Sequence, residues 1–184
     1  MNQDFLKVSN RLFIAIASLI VLFVRGQTGE VTLTFEKKFP VPKTSIRAIE
    51  LDDANNLWFV GSNGIFGRIE GETLQIDSLA YQGKNPSFRS LAINKNTAFA
   101  LSIENPALLF RLPVPTSDKN AELICSEEHP NIFYDSMAFL DSDMGIAMGD
   151  PIEGCLSILI TEDGGRSWRK KPCSELPSTF EGEA

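Results

Sequence analysis

Few residues in this chain of 184 have types and spacings suited to metal or redox chemistry. The three cysteines, Cys125, Cys155 and Cys173, lie far apart, and His129 is the only histidine, which disfavours a metal centre. The chain contains neither Cys-x-x-Cys nor a Gly-x-Gly-x-x-Gly motif after a strand. We therefore expect no metal, no cofactor and no catalytic residues.

Four aspartates lie close together in the sequence: Asp141, Asp143, Asp150 and Asp163. They lack the Gly-centred loop, regular ligand spacing and closing glutamate of a calcium site. We interpret them as polar turn residues, with calcium binding as the alternative.

One stretch has a strict spacing. Thr161–Trp168 reads Thr-Glu-Asp-Gly-Gly-Arg-Ser-Trp and matches the Asp-box pattern Ser/Thr-x-Asp-x-Gly-x-Ser/Thr-Trp. In such a box the aspartate accepts hydrogen bonds from its own turn, the glycines permit positive φ, and the tryptophan packs back on the hairpin. The pattern therefore predicts a structural role for Thr161, Asp163, Gly165, Ser167 and Trp168.

The same hairpin brings two cysteines together. With the turn centred on Gly164, Thr161 lies opposite Ser167, and in that register Cys155 lies opposite Cys173. Directly opposed residues have Cβ atoms about 4.5–5.5 Å apart, near the reach of a disulfide. We expect a disulfide between these two cysteines, which leaves Cys125 free.

The elements that position these residues follow a repeat of about 44 residues, found in segments 46–71, 88–113 and 134–168. Each copy has three short apolar segments separated by turns, and fourth strands are predicted at Thr73–Leu79, Glu122–Ser126 and Trp168–Lys171. Such a repeat is typical of a four-stranded antiparallel β-propeller blade. We therefore predict an all-β propeller with repeats at about 44–80, 86–127 and 133–173; a β-sandwich is the alternative.

Three charged residues, Arg47, Arg89 and Asp135, occupy equivalent strand-start positions in the three repeats. Equivalent positions of adjacent blades share one surface, so these residues are our candidate binding face. The alternative is that they are solvated strand termini.

The composition separates an export segment from the fold. The charge of -7 and the pI near 4.8 exclude a basic nucleic-acid-binding surface. Lys7 and Arg11 precede an uncharged run, Leu12–Val24, which is too short to cross a membrane core of about 30 Å. We predict that residues 1–26 are a signal peptide cleaved before Gln27, which exports residues 27–184 to the periplasm or the extracellular space without stable membrane insertion; a retained anchor is the alternative.

The third repeat resembles blades of the photosystem II stability/assembly factor family, through Gly145-Ile146-Ala147-Met148-Gly149 and the Asp-box. Phe59–Phe66 is similar to the same strand–turn–strand unit, whereas the second repeat lacks the glycine pair and the box. Tyr134–Phe139 with Gly149-Asp150-Pro151 resembles secreted bacterial relatives, often labelled oxidoreductases, a label that no motif here supports. Over about Ile46–Lys171, this resemblance implies a non-catalytic propeller that binds protein partners or assembles complexes.

Sialidases also carry Asp-boxes, and Phe110-Arg111-Leu112-Pro113 resembles their Phe-Arg-Ile-Pro motif, although it lies in the second repeat and not in a first blade. A sialidase needs three arginines and a Tyr/Glu pair, for which Arg47, Arg89 and Arg111 with Tyr134 or Tyr81 are nominees without a defining spacing. A sialidase-like hydrolase and a glycan-binding propeller are thus the alternatives to a protein scaffold.

The repeat length gives about three to four blades, fewer than the seven of the family that this chain resembles. Ser174–Ala184 is similar to the lead-in to another blade. We expect a truncated product or fragment, or a ring completed by self-association through open blade edges.

Overall fold

The computed structural model describes residue 34 and residues 37–113 and 121–179. By their contacts, Phe39–Ala184 form one compact unit. The predicted signal peptide lies outside the described residues and stays a prediction.

Twelve strands in the described part of the chain form three four-stranded antiparallel sheets, each with its strands in sequence order. Blade I contains β1 (Ile46–Leu51), β2 (Leu57–Gly61), β3 (Ile65–Glu70) and β4 (Thr73–Ser78). Blade II contains β5 (Phe88–Asn94), β6 (Thr97–Ser102), β7 (Ala107–Pro113) and β8 (Glu122–Glu127). Blade III contains β9 (Tyr134–Phe139), β10 (Gly145–Ile152), β11 (Cys155–Thr161) and β12 (Arg169–Lys170). The prediction of an all-β fold of four-stranded blades is confirmed, and the blades form an incomplete ring.

Tight turns join the strands within a blade, because the sequence places residues that tolerate positive φ between alternating apolar segments. Asn63 and Gly64 adopt φ of 61° and 68° between β2 and β3. Lys95 adopts φ of 55° in the two-residue turn between β5 and β6. These conformations match the right-handed twist of the flanking strands.

The blades pack face to face through two apolar clusters. Between blades I and II, Trp58, Val60 and Phe66 pack with residues that include Leu91, Ala100 and Phe110. Between blades II and III, Phe99, Leu101 and Leu109 pack with residues that include Tyr134, Met137 and Leu159. The core therefore lies between the sheets, and each blade depends on its neighbour for burial.

The first strands of the blades lie side by side, because β5 contacts both β1 and β9. Each of these strands carries a register irregularity near its start, and the extra residue is Arg47 in β1, Arg89 in β5 and Asp135 in β9. A bulge re-aims the side chain it carries. We call the end of the blades that holds these three residues the bulge end, and the opposite end the Asp-box end.

The register of the Asp-box hairpin differs from the prediction by one residue. Leu159 pairs with Lys170 and Ile160 with Arg169, so the predicted pairing of Thr161 with Ser167 is wrong. The cause is that Asp163 binds Ser167 inside the turn, which keeps Ser167 out of the ladder.

The ladder has ended before Cys173, which begins a short 3₁₀ helix, Cys173–Glu175. The chain leaving β12 brings this residue to Cys155, with Cα atoms 5.5 Å apart, and the two cysteines form a disulfide. Cys125 is free and half-buried. In the described residues, no helical segment has the length and apolar character needed to span a membrane.

Candidate functional site

The bulge end brings two of the three candidate face residues together. Arg89 Nε lies 3.5 Å from Asp135 Oδ1, and both side chains are about two-fifths exposed. The Arg89 guanidinium also lies 5.8 Å from the centre of the Phe133 ring. This ion pair joins blade II to blade III and presents both charges to solvent. Arg47 is exposed at the equivalent bulge of blade I.

A second carboxylate adjoins this pair. Burial raises the pKa of Asp150, and the charge of Asp135 and a hydrogen bond between the two carboxyl groups raise it further. The backbone fixes the arrangement, since the Asp150 amide donates to the Phe133 carbonyl at 2.8 Å. The two adjacent carboxyl groups can bind a cationic group of a partner, and the flanking arginine can bind an anionic one.

A pocket of about 290 Å³ opens at the same end, between the β4–β5 and β6–β7 loops. Its lining is mainly apolar and includes Tyr81, Lys84, Pro86, Glu104, Pro106 and Leu108. The sequence gives no signal for this pocket, because the loop that connects blades I and II and a loop within blade II form it together. Alternation within a strand carries no signal for such a contact.

The Asp-box residues form a closed hydrogen-bond network. Asp163 Oδ1 accepts from the Thr161 hydroxyl at 2.8 Å and the Ser167 amide at 3.0 Å, and Oδ2 accepts from the Ser167 hydroxyl at 2.6 Å. The hydrogen bonds from Ser167, followed by that from Thr161, hold the pKa of Asp163 at about 2 despite partial burial. Its carboxylate is fully used within the turn.

The other box residues pack inward. Gly165 adopts φ of 87° directly against the Phe99 ring, where a Cβ atom would clash. Trp168 packs edge-on to Phe139 with ring centres 5.8 Å apart. The box thus fastens blade III to blade II.

Of the neighbouring aspartates, Asp141 and Asp143 lie in the β9–β10 turn, whereas Asp150 lies within β10, so its interpretation as a turn residue is wrong. Asp141 Oδ1 accepts from the amides of Asp143 and Met144 at 2.8 and 2.7 Å, and these bonds lower its pKa. No group of three or more metal-ligating side chains occurs within residues 37–113 and 121–179.

Blade I contains a polar cluster that the sequence did not reveal. Asp52, in the β1–β2 turn, accepts hydrogen bonds from the Asn56 amide and side chain and from Trp58 Nε1. Burial raises its pKa, but the hydrogen bonds from Trp58 and Asn56 outweigh burial and hold it at about 2. Asp52 also lies 3.4 Å from Arg68. The available signal was an aspartate directly after a strand with a tryptophan six residues later.

The structure does not assemble the sialidase nominees. Tyr134 is fully buried and donates to Glu127 Oε2 at 2.7 Å, and burial followed by that bond raises its pKa. Across the sheet of blade II, Arg111 on β7 pairs with Phe99 on β6, and Phe99 pairs with Ala92 on β5. Arg111 therefore lies two strands away from β5, level with Ala92, which is three residues after Arg89. A buried, protonated tyrosine has no access to a sugar.

Burial also raises the pKa of the free Cys125 thiol, and the charge of Glu127 adds to the effect. This thiol is therefore a poor nucleophile at neutral pH.

No protein-family model matches the chain, and no curated protein matches it. Solved structures do share its fold. The structure of YCF48 bound to D1 peptide gives a TM-score of 0.52 at 16% sequence identity, over 69% of this chain and 39% of that one. The structure of YCF48 from Cyanidioschyzon merolae gives a TM-score of 0.50 at 16% sequence identity, over 70% of this chain and 40% of that one. The chain thus spans about two fifths of these propellers. The likeness establishes the fold, and it agrees with the resemblance to the photosystem II assembly factor propellers.

Proposed function

We propose that this chain is part of a non-catalytic scaffold that binds a protein partner at the bulge end. The observation that carries the proposal is the exposed Arg89–Asp135 pair, which lies beside Asp150 of β10 and shares the bulge end with Arg47. Exposed charges held by a rigid sheet give orientation and specificity to a partner. The structure of YCF48 bound to D1 peptide supports a peptide or protein as the class of partner.

The test is affinity capture from an envelope extract with the wild-type chain and with the triple variant Arg47→Ala, Arg89→Ala, Asp135→Ala. A specific partner should bind wild type and lose at least about tenfold in affinity for the triple variant when both are purified. The control variant Arg169→Ala removes an exposed charge from β12 whose ion-pair partner, Glu162, lies in the Asp-box turn. Equal binding of wild type and triple variant would reject the bulge end. Binding of glycans on an array, without a protein partner, would favour the glycan-binding alternative.

We also propose that the chain is exported and that its first 26 residues are removed. The short apolar run after Lys7 and Arg11 supports this. Amino-terminal sequencing of the protein from its native host should give Gln27 as the first residue. An intact Met1 in the envelope fraction would favour a retained anchor.

Finally, we propose that a second copy of this chain packs on the open faces of the terminal blades. Ile49 and Leu51 of β1 are 62% and 56% exposed. Leu91 of β5, the equivalent of Ile49, is only 4% exposed because it packs against blade I. On blade III, Met148 is 48% exposed, while the equivalent Leu101 is 1% exposed. Each open face therefore has the apolar character of the internal interfaces without their partner blade.

Sedimentation of the purified chain should show a dimer that Ile49→Glu and Met148→Glu each dissociate. A folded, soluble monomer with a cooperative melt would contradict this proposal and leave the partner-binding proposal intact.

A further inference from the structure

We propose that a second site, a pocket between blades II and III at the Asp-box end, binds a carboxylate group of a ligand. The pocket has a volume of about 250 Å³, and three cationic side chains line it: Lys95, Arg111 and Arg166. It lies at the opposite end of the blades from the bulge residues, so it goes beyond the proposed function.

In blade I, the arginine equivalent to Arg111 is Arg68, and it has carboxylate partners within the chain. Arg68 of β3 lies 3.4 Å from Asp52 and 2.8 Å from Glu70, and its guanidinium lies 5.5 Å from the centre of the Trp58 ring. The Asp52 carboxylate is itself almost fully buried and fixed by Asn56. Arg68 is thus neutralised from two sides.

Blade II repeats this strand pairing with different side chains: Phe99 replaces Trp58, and Glu122 replaces Gln75 beside the arginine. Arg111 pairs with Phe99 as Arg68 pairs with Trp58, and Asn94 at the end of β5 replaces Asp52 directly after β1.

The replacement leaves Arg111 with one carboxylate partner, Glu122, in the described part of the chain. The Asn94 amide is neutral and donates to the carbonyls of Ser142 and Gly164 at 3.0 and 3.3 Å, so it also fixes the wall of the pocket. The Arg111 Nε is buried without a hydrogen-bond partner, as is that of Arg68. Where blade I supplies Asp52, blade II leaves an open space.

The other lining residues determine the charge of the site. Lys95 and Arg166 are both exposed, and the Arg166 Nε donates to the Asp163 backbone carbonyl at 2.9 Å, which ties the side chain to the turn. The Asp163 carboxylate is occupied by the Asp-box bonds. Asp143 and the ionised Asp163 are the lining carboxylates that would oppose an anion, against the three lining cations.

A carboxylate is the group that this space lacks, because Asp52 fills the equivalent position in blade I. Arginine binds a carboxylate through two parallel hydrogen bonds. The carboxylate can belong to an acidic amino acid of a peptide or to an acidic sugar, because each carries its carboxylate on a small group.

The experiment is a titration of the ¹⁵N-labelled full chain at constant ionic strength, read at the Gly164 amide in the pocket wall. The probes are N-acetyl-aspartate amide for the peptide source, glucuronic acid for the sugar source, and inorganic phosphate. We expect saturable shifts with at least one carboxylate probe, and the tighter of the two identifies the source. No saturable shift with either carboxylate, or binding of phosphate alone, would overturn the proposal.

Variants with exposed substitutions keep the test independent of folding. Lys95→Gln and Arg166→Gln should each lower the affinity for the tighter-binding probe by about two- to fivefold, and the double variant should lower it by about tenfold. Asp143→Asn should strengthen it by about twofold. Lys84→Gln, which removes an exposed lysine from the bulge-end pocket, is the matched control and should leave the affinity unchanged. Equal affinity of the double variant and wild type would place the bound probe elsewhere.

Discussion

Blades I and II carry an arginine at the same position of their third strand but surround it differently. Arg68 is 11% exposed and lies between Asp52 and Glu70, whereas Arg111 is 34% exposed and contacts Glu122 alone in the described part of the chain. Three replacements accompany the difference: Asp52 by Asn94, Trp58 by Phe99, and Gln75 by Glu122. In blade I the polar cluster is an internal brace, and in blade II the same framework leaves room for a ligand.

The two ends of the blades differ in a related way. At the Asp-box end, Asp163 accepts hydrogen bonds within its own turn, and Asp52 accepts them from its turn and from Trp58. At the bulge end, Arg89, Asp135 and Asp150 face one another with their charges exposed or partly exposed. Hydrogen bonds thus fix the aspartates of the Asp-box end, whereas an exposed ion pair lies at the bulge end.

The largest expected effect comes from removing the brace of blade I. Asp52→Ala leaves the buried Trp58 Nε1 and the Asn56 amide without an acceptor and leaves Arg68 with Glu70 as its remaining carboxylate. It should lower the free energy of unfolding by about 3–5 kcal/mol. Asn94→Ala is the matched change in blade II and should lower it by about 1–2 kcal/mol, because two neutral hydrogen bonds are lost. Denaturant unfolding of both variants measures the difference, and equal losses would show that the blades do not differ as described.

Asp163→Ala should lower the free energy of unfolding by about 2–3 kcal/mol, since three hydrogen bonds to a carboxylate disappear and the turn that fastens blade III loosens. Thermal unfolding checks this, with Asp143→Ala as the control at a neighbouring aspartate. A loss no greater than that of the control would remove the Asp-box from the structural account.

Acid should destabilise the chain through the same two aspartates. The pKa values of Asp52 and Asp163 fall from 3.8 to about 2 on folding, so their stabilisation is present above pH 3.8 and is lost as the pH falls towards 2. Asp150 has a raised pKa and acts in the opposite direction, so it reduces the net effect. Melting temperatures between pH 5 and 2 should fall for wild type and fall less steeply for Asp163→Asn. Parallel curves would contradict the assigned pKa of Asp163.

The smallest stability effect is expected at Arg111. Arg111→Gln removes one exposed ion pair and should change the free energy of unfolding by about 1 kcal/mol or less, whereas Arg68→Gln leaves the buried Asp52 unpaired and should cost about 2–3 kcal/mol. Denaturant titrations of the two variants, run side by side, give the comparison. A larger loss at Arg111 would mean that this arginine is part of the brace.

The strand content and blade order were predictable from the sequence, because alternation and turn residues are local properties. Gly145–Gly149 and the Asp-box fell in β10 and in the β11–β12 turn as their patterns indicated. The register of the Asp-box hairpin was missed by one residue because side-chain bonds of Asp163 lengthen the turn, which no alternation pattern records.

The sites were harder to predict, since they depend on residues from different blades. The Arg89–Asp135 pair joins residues 46 positions apart, and the carboxylate pocket joins Lys95 to Arg166. Equivalence of repeats placed Arg89 and Asp135 on one surface, but it did not show that they pair. Comparing Asp52 with Asn94 across the repeats was the available signal for the pocket.

The most direct test of the account follows both arginines in one sample. The Nε–Hε signals of Arg68 and Arg111 in the ¹⁵N-labelled chain are recorded while sodium acetate replaces sodium chloride at constant ionic strength. We expect the Arg111 signal to shift and saturate while the Arg68 signal stays in place, because Asp52 already occupies the equivalent position in blade I. Parallel shifts of both signals, or a shift of Arg68 alone, would contradict it.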